Sequence, residues 1–223
     1  MHDGVVEKAT DLAYLAGILR DGSLPKPYNN LYEVQISQSN MEFLENVRKI
    51  FLNVFAGSKP RLYKYGNQTP RIKVYSKEIH GYLVNILEYP GTQVKWKIPS
   101  FVISGNKETK RRFLQGFFDA EGEIPLSRNS GGNYKIWARF HHSWDGANCV
   151  VLEQTKAILE EDFKIMCGKV SGPKIEKKFP SFDLAIYGSN VKEFISLVKP
   201  LNPKHVRRWK KQNKATTTQS LVD

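Results

Sequence analysis

The sequence predicts an α+β fold made from one module used twice, and three observations carry that prediction. Two segments, Ala13-Tyr-Leu-Ala-Gly-Ile-Leu-Arg-Asp21-Gly22 and Arg112-Phe-Leu-Gln-Gly-Phe-Phe-Asp-Ala-Glu121-Gly122, are apolar, helix-like runs that each close on an acid and a glycine, 100 residues apart. Around each of them the same order recurs: helix, two strands, helix, two strands, helix. With 223 residues and 40% hydrophobic content, the chain can bury a packed interior as one large domain or two small ones.

In the first half, the motif helix spans 12–22, and a turn-rich stretch follows it from Ser23 to Asn30. In Leu31–Ser37 an alternation of period two marks a half-buried strand. Asn40 is a good N-cap, and Met41, Phe43, Leu44, Val47, Ile50 and Phe51 then recur at three- and four-residue steps, predicting an amphipathic helix that ends before Gly57. Two β-prone runs between Lys59 and Tyr75 flank a Gly-Asn turn, after which Ser76 caps a helix carrying Ile79, Tyr82, Leu83, Ile86 and Leu87. From Glu88 to Lys107 the chain has Pro90, Gly91, Pro99 and Gly105 and no clear periodicity. The second half repeats the order: a helix at Thr109–Ala120, strands near Glu123–Ser127 and Tyr134–His141, and a helix at Ala147–Glu160. Strands near Pro173–Lys178 and Phe182–Tyr187 and a helix at Asn190–Val198 complete it. Local matches support the repeat, Ile36-Ser-Gln-Ser39 with Phe140-His-His-Ser143 and Lys73-Val-Tyr-Ser76 with Ala185-Ile-Tyr-Gly188. The division by repeat is therefore 1–90 for the first half, 91–107 for a linker, 108–200 for the second half with its motif helix at 109–122, and 201–223 for a basic C-terminal tail.

Composition narrows the partners. Thirty-four Lys+Arg against 22 Asp+Glu give a formal charge of +12, which points to a polyanion and leaves RNA and DNA open. The basic residues are spread over the chain and not gathered on one amphipathic helix, so a membrane surface fits less well. No apolar run reaches the roughly 20 residues of a membrane span, and the N-terminus lacks an export signal, so an intracellular, cytoplasmic location is expected. Cys149 and Cys167 exclude a disulfide-dense scaffold and a cysteine-rich zinc site. His141 and His142 are adjacent on a strand and point to opposite faces, so they do not share one ion easily.

The acid-glycine endings carry the chemistry. A carboxylate in the last helical turn faces the negative end of the macrodipole, and two carboxylates brought together repel, so a cation is expected between them. An acid followed by a C-capping glycine is common at the end of an ordinary core helix; it is the pairing, the repeated flanks and the basic charge that set these two apart. Ala13, Ala16 and Gly17 in one helix and Gly116 and Ala120 in the other form small-residue stripes that allow close packing. Side by side, the helices would bring Asp21 and Glu121 within reach of one hard ion such as Mg²⁺, with sites left for water and a phosphate, the arrangement that phosphodiester hydrolysis needs.

Leu15-Ala-Gly-Ile-Leu-Arg-Asp-Gly22 and Phe113-Leu-Gln-Gly-Phe-Phe-Asp-Ala-Glu-Gly122 resemble the two motifs of a monomeric LAGLIDADG homing endonuclease of the kind encoded in introns or inteins, as in archaea. The run from Lys97 through Ile98-Pro99 to Leu114 is similar to that family's approach to its second motif. The second motif is specific and the first weaker: Ala16 and Gly116 hold the family's motif-glycine place, and Gly17 stands one step out of register. Arg20 replaces a small residue, which leaves it to turn outward toward DNA or to pair with an acid.

The resemblance implies two pseudo-symmetric αββαββα halves packed through the motif helices, each with a curved antiparallel sheet, the two forming a DNA-binding saddle. It implies a metal-dependent endodeoxyribonuclease that uses Mg²⁺ or Mn²⁺ to cut both strands of a long asymmetric target, leaving short 3′ overhangs. Onto this chain it transfers the metal-ligand and catalytic role to Asp21 and Glu121, with Asp119 a less fitting ligand. Gln38 and its counterpart His142 would help to order water, and Lys97 and its counterpart Lys204 would stabilise transition-state charge.

The expected DNA-reading side chains of the first sheet are Lys26, Gln35, Arg61, Lys64, Arg71 and Lys73, with Tyr28, Glu33 and Tyr63 on the same outward alternation. Those of the second are Arg128, Lys135, Arg139, Lys174 and Lys177, with Trp137 and Asp183 beside them. The basic run Lys204–Lys214 reads as a phosphate-contacting or partly disordered tail. The expected partner is double-stranded DNA at an intron or intein insertion site, with the protein acting as a monomer, needing no obligate protein partner and nucleoid-associated when bound. The alternative is an intron RNA maturase or a non-cleaving nucleic-acid-binding protein on the same fold.

Overall fold

Helix α1 (Asp3–Ile18) begins well before the apolar run and stops short of the acid: it tightens into a 3-10 turn, Leu19–Asp21, from which the chain passes into β1 (Gly22–Ser23). A computed structural model describes residues 3–128, 130, 135–174 and 180–217, and for residues 3–7, 21 and 214–217 the backbone alone. The chain forms two compact units, Met1–Glu121 and Gly122–Asp223. The division by packing thus falls at the end of the second motif helix, α5 (Lys107–Glu121), which belongs to the first unit.

In the first unit, β1 is followed by β2 (Glu33–Ser37), α2 (Met41–Val54), β3 (Arg61–Tyr63), β4 (Arg71–Tyr75) and α3 (Lys77–Ile86). Asn40 caps α2 by accepting the Phe43 amide at 2.8 Å, and Ser76 caps α3 by accepting the Ile79 amide at 3.2 Å, both as the sequence predicts. The strands form one antiparallel sheet in the order β1-β2-β4-β3. Its buried face, Val34, Ile36, Ile72 and Val74, belongs to a core with Phe43, Leu44, Val47 and Phe51 of α2 and Leu15 and Ile18 of α1. The expected linker has structure of its own: a 3-10 turn at Gln93–Lys95 and the short α4 (Ser100–Ile103), with Trp96 and Ile98 buried. Asn106 then opens α5 by accepting from the Thr109 amide at 2.9 Å.

The second unit holds β5 (Gly122–Glu123), β6 (Trp137–Ser143), α6 (Val150–Ala157), β7 (Ser171–Lys174), β8 (Ser181–Tyr187), α7 (Ser189–Val198) and α8 (Pro203–Thr217). Its sheet order, β5-β6-β8-β7, reproduces that of the first. Gly22 pairs with Ile36 and Gly122 with Phe140, and Val74 pairs with Val34 as Ile186 does with Ala138, so the repeat holds at the level of single residues. The core is Ala138, Phe140, Leu184, Ile186, Val151, Leu152, Phe194 and Val198, all buried.

Several elements differ from the sequence reading. β5 ends at Glu123 and not Ser127, two residues before Pro125, which has no N–H to donate to a ladder. α6 starts at Val150 and its C-terminal turn widens into a π-helix, Ile158–Asp162. The C-terminal run is a helix, not a tail: α8 is tied down where Arg208 Nη1 donates to Glu123 Oε1 at 3.1 Å and Gln212 Nε2 donates to the Pro125 carbonyl at 2.6 Å. Among the described residues, no helix is long and apolar enough to cross a membrane.

Candidate active site

The site is built on the packing of α1 against α5 inside the first unit. A Cβ on Gly17 would collide with the backbone amide of Phe117 and lie 2.5 Å from the Phe113 carbonyl oxygen; one on Gly116 would collide with the Tyr14 carbonyl. Backbones this close leave no room for any side chain, so the first helix supplies its contact glycine at Gly17, one step from the place of Ala16. The contacts advance together along both helices. Asp11 pairs with Arg112, while Gly17 lies against Phe117, so the helices run parallel and their C-terminal turns carry Asp21 and Glu121 to the same end. The Asp21 side chain lies outside the described residues; its backbone closes the 3-10 turn, and Glu121 is half-buried at the end of α5.

Asp119 has a different task. It is buried, and its Oδ2 accepts from the Tyr14 hydroxyl at 3.0 Å across the helix interface. Burial and the adjacent Asp119 charge push the Tyr14 hydroxyl well above its ordinary pKa, so it remains a donor. At the far end, Asp11 accepts from Asn53 Nδ2 at 3.2 Å and pairs with Arg112, whose guanidinium lies 5.0 Å from the Tyr14 ring centre.

Arg20 does not turn outward. It is 3% exposed, and its Nη2 donates to the Lys97 carbonyl at 2.8 Å while Nη1 donates to the Trp96 carbonyl. Its guanidinium carbon lies 4.3 Å from the centre of the Trp96 ring. Gln93 Nε2 donates to the carbonyls of Leu19 and Gly22, each at 2.8 Å, satisfying backbone groups that the end of a helix leaves open. Nothing in the local pattern marks Gln93 or Trp96 for this role, because Leu19, Arg20 and Gly22 are more than 70 residues away from them.

The supporting residues are distributed as follows. Lys97 is exposed and its carbonyl is the Arg20 acceptor. Lys204 is exposed in the first turn of α8, with its amide donating to Asn202 Oδ1 at 3.1 Å. Because Ile36 and Phe140 are equivalent in register, Gln38 and His142 are too; His142 is 3% exposed on the buried face of its strand, its ring centre 6.5 Å from that of Trp144.

The open faces of the sheets carry the expected polar set, but much of its charge is already paired. In the first sheet Glu33, Gln35, Arg71 and Lys73 alternate with the core residues, and Lys73 Nζ lies 3.0 Å from Glu33 Oε1. Arg71 Nη2 donates to Gln68 Oε1 at 3.0 Å. Lys26, Arg61 and Lys64 are exposed.

In the second sheet, Asp183 stands on the outward alternation opposite His141, as expected, but is only 5% exposed because a cluster of cations covers it. It accepts from His141 Nδ1 at 2.8 Å and from Lys174 Nζ at 2.5 Å, with Arg139 Nη1 at 3.5 Å. Burial raises the Asp183 pKa, but the hydrogen bonds from His141 and Lys174 outweigh it and bring the carboxyl down to about 2. Glu123 holds Arg139 from the other side, at 2.9 Å to Nε and 2.6 Å to Nη2. The Arg139 guanidinium lies 5.5 Å from the Trp137 ring, which stacks on Tyr187. Lys135 and Arg128 are exposed, and Lys177 lies outside the described residues.

No family model matches the sequence. The chain is 33% identical over 117 residues to homing endonuclease I-ApeI of Aeropyrum pernix, which covers 51% of this chain and 52% of that protein. It is 28% identical over 127 residues to the uncharacterized protein MJ0314 of Methanocaldococcus jannaschii, covering 55% and 44%. The chain spans about half the length of the curated relatives it matches. Among solved structures, mesophilic variants of the homing endonuclease I-DmoI superpose with a TM-score of 0.64 at 20% identity, over 88% of this chain and 99% of that one. Full-length DUF199/WhiA from Thermatoga maritima shares the fold at a TM-score of 0.58 and 12% identity, over 95% of this chain and 61% of that one. The chain thus shares the fold of I-DmoI and, over about half its length, is similar in sequence to a curated homing endonuclease.

Proposed function

We propose that the chain is a site-specific DNA endonuclease that hydrolyses phosphodiester bonds with a divalent cation, Mg²⁺ or Mn²⁺. The observation that carries this reading is the parallel packing of α1 and α5, which brings Asp21 and Glu121 to one end of the interface. Two carboxylates at neighbouring helix C-termini disfavour each other and the helix dipoles, and the donor set fits a hard cation that takes oxygen ligands. When bound, that cation supplies a low-pKa water and neutralises charge on the scissile phosphate. The protein's own part is to hold the phosphate and the water in place: Asp21 and Glu121 as ligands, Lys97 and Lys204 against the developing charge, and Gln38 and His142 in ordering water. Support comes also from I-DmoI, solved with its target DNA in the presence of Mg and of Mn, and from the likeness to I-ApeI.

The finer reading follows from the same parts. Two sheets of equal topology but different outward residues suit two different half-sites, hence a long asymmetric target read by one chain acting as a monomer on intracellular DNA, with short 3′ overhangs after cleavage. Among the described basic residues, Lys26, Arg61, Lys64 and Lys135 suit phosphate, whereas Arg139, held rigid by Glu123, suits a base edge. The test is incubation of the chain with a plasmid carrying the uninterrupted host-gene region and Mg²⁺, beside an Asp21→Asn variant. The wild type is expected to make a double-strand break, and the variant to bind without cutting. Absence of cleavage together with tight binding of the intron RNA would replace this reading with the maturase one.

A further inference from the structure

The turn that carries Asp21 is clamped to the segment that carries Lys97. Gln93 Nε2 donates to the carbonyls of Leu19 and Gly22, so its amide brackets the acid from both sides in sequence. Arg20, the residue before Asp21, reaches the opposite way, to the carbonyls of Trp96 and Lys97. The platform between them is fixed: Trp96 is 1% exposed, its Nε1 donates to the Leu87 carbonyl at 2.7 Å, and the Arg20 guanidinium stacks on its ring. Lys97 emerges from this clamp with its carbonyl held and its side chain exposed.

In the repeat, Ala120 stands at the place of Arg20 and cannot make these bonds, and Lys204 sits in the first turn of α8. The clamp therefore serves one of the two lysines. We propose that Arg20 and Gln93 are positioning residues that hold Lys97 in fixed register with the Asp21 turn, so that one strand of the DNA is cut with its lysine clamped and the other without. This rests on the endonuclease reading above.

The physical argument is geometric. A lysine on a flexible stem in a connecting segment contributes little to a transition state unless its backbone is fixed, because misplacement by about 1 Å costs on the order of 10²-fold in rate. Arginine suits this task because its rigid planar fork sends Nη1 and Nη2 to two acceptors in a fixed geometry while its flat face lies on the Trp96 ring, whereas the lysine ammonium is a compact point charge on a flexible stem.

A double-mutant cycle on a supercoiled plasmid bearing the target tests the proposal, with single-turnover rates for wild type, Arg20→Lys, Gln93→Met, Lys97→Met and Arg20→Lys/Lys97→Met. DNA affinity is measured in parallel with Ca²⁺ in place of Mg²⁺. Arg20→Lys and Gln93→Met are expected to slow cleavage by about 10–10²-fold with affinity unchanged. They should accumulate nicked plasmid cut in the same strand as Lys97→Met does, and the Arg20→Lys penalty should largely vanish when Lys97 is already Met. Additive penalties, or equal slowing of both strands, would overturn the clamp. If the wild type does not cut, the endonuclease reading alone fails, and hydrogen exchange decides the clamp: Gln93→Met should speed exchange at residues 19–22 and 95–97 together, and loosening of only one segment refutes it.

Discussion

Asp119 and Glu121 lie two residues apart on α5, yet the structure gives them opposite work. Asp119 is buried against the Tyr14 hydroxyl, whereas Glu121 ends the helix beside the Asp21 turn. Asp119→Asn keeps an acceptor for Tyr14, so cleavage should survive with a stability loss of about 1 kcal/mol in urea unfolding. Glu121→Gln should leave stability intact and, on the proposed role of Glu121 as a metal ligand, reduce single-turnover cleavage by about 10³-fold. Asp183 offers a test by pH. Its carboxyl is held near 2, below the ordinary value of about 4. Its contribution to stability is therefore fully present above about pH 4 and is lost as pH falls through about 2. Urea midpoints of wild type and Asp183→Asn should differ at pH 6 and converge toward pH 2. These roles were only partly legible in sequence: spacing singled out the motif acid over Asp119, but the alternation that put Asp183 on the outward face said nothing of the cations that enclose it.

At the scale of elements, the α1–α5 interface sets the tightest tolerance. Gly17→Ala and Gly116→Ala each push a methyl group into backbone of the facing helix, with no side chain able to yield. Overpacking of this kind costs about 3 kcal/mol, and thermal unfolding should show it as a fall in Tm of roughly 6–12 °C for a chain of this size. Asn40→Ala, at the cap of α2, should cost about 1 kcal/mol and leave cleavage unchanged. Small-residue stripes signalled this interface in the sequence; which glycine makes the contact was decided by the rotation of α1, and a one-residue step changes that by about 100°. Caps at Asn40 and Ser76 were legible because a cap is a local event. The end of the motif helix was not, since its 3-10 turn is completed by Gln93 from far along the chain.

At the scale of the molecule, a formal charge of +12 favours any polyanion, but the structure divides the basic residues into those already paired and those open to a ligand. Lys26→Ala, Arg61→Ala and Lys64→Ala should each weaken DNA binding about equally across sequences and lower the slope of log K against log salt by about 1. Arg139→Ala should instead relax preference at one base position, since Glu123 and Trp137 fix its direction.

The sequence by itself determined the duplication, the α+β class, the two acids and the basic excess, because each is written in local periodicity or in a repeat that can be compared with itself. Only the tertiary structure decided that the second motif helix packs with the first unit, that the basic C-terminal run is the docked helix α8, and that Arg20 turns inward. Each of those outcomes depends on partners distant in the chain, Asp11 for Arg112, Glu123 for Arg208 and Trp96 for Arg20. Burial and hydrogen bonding there are settled by what the folded chain brings near, and no period in the sequence records it.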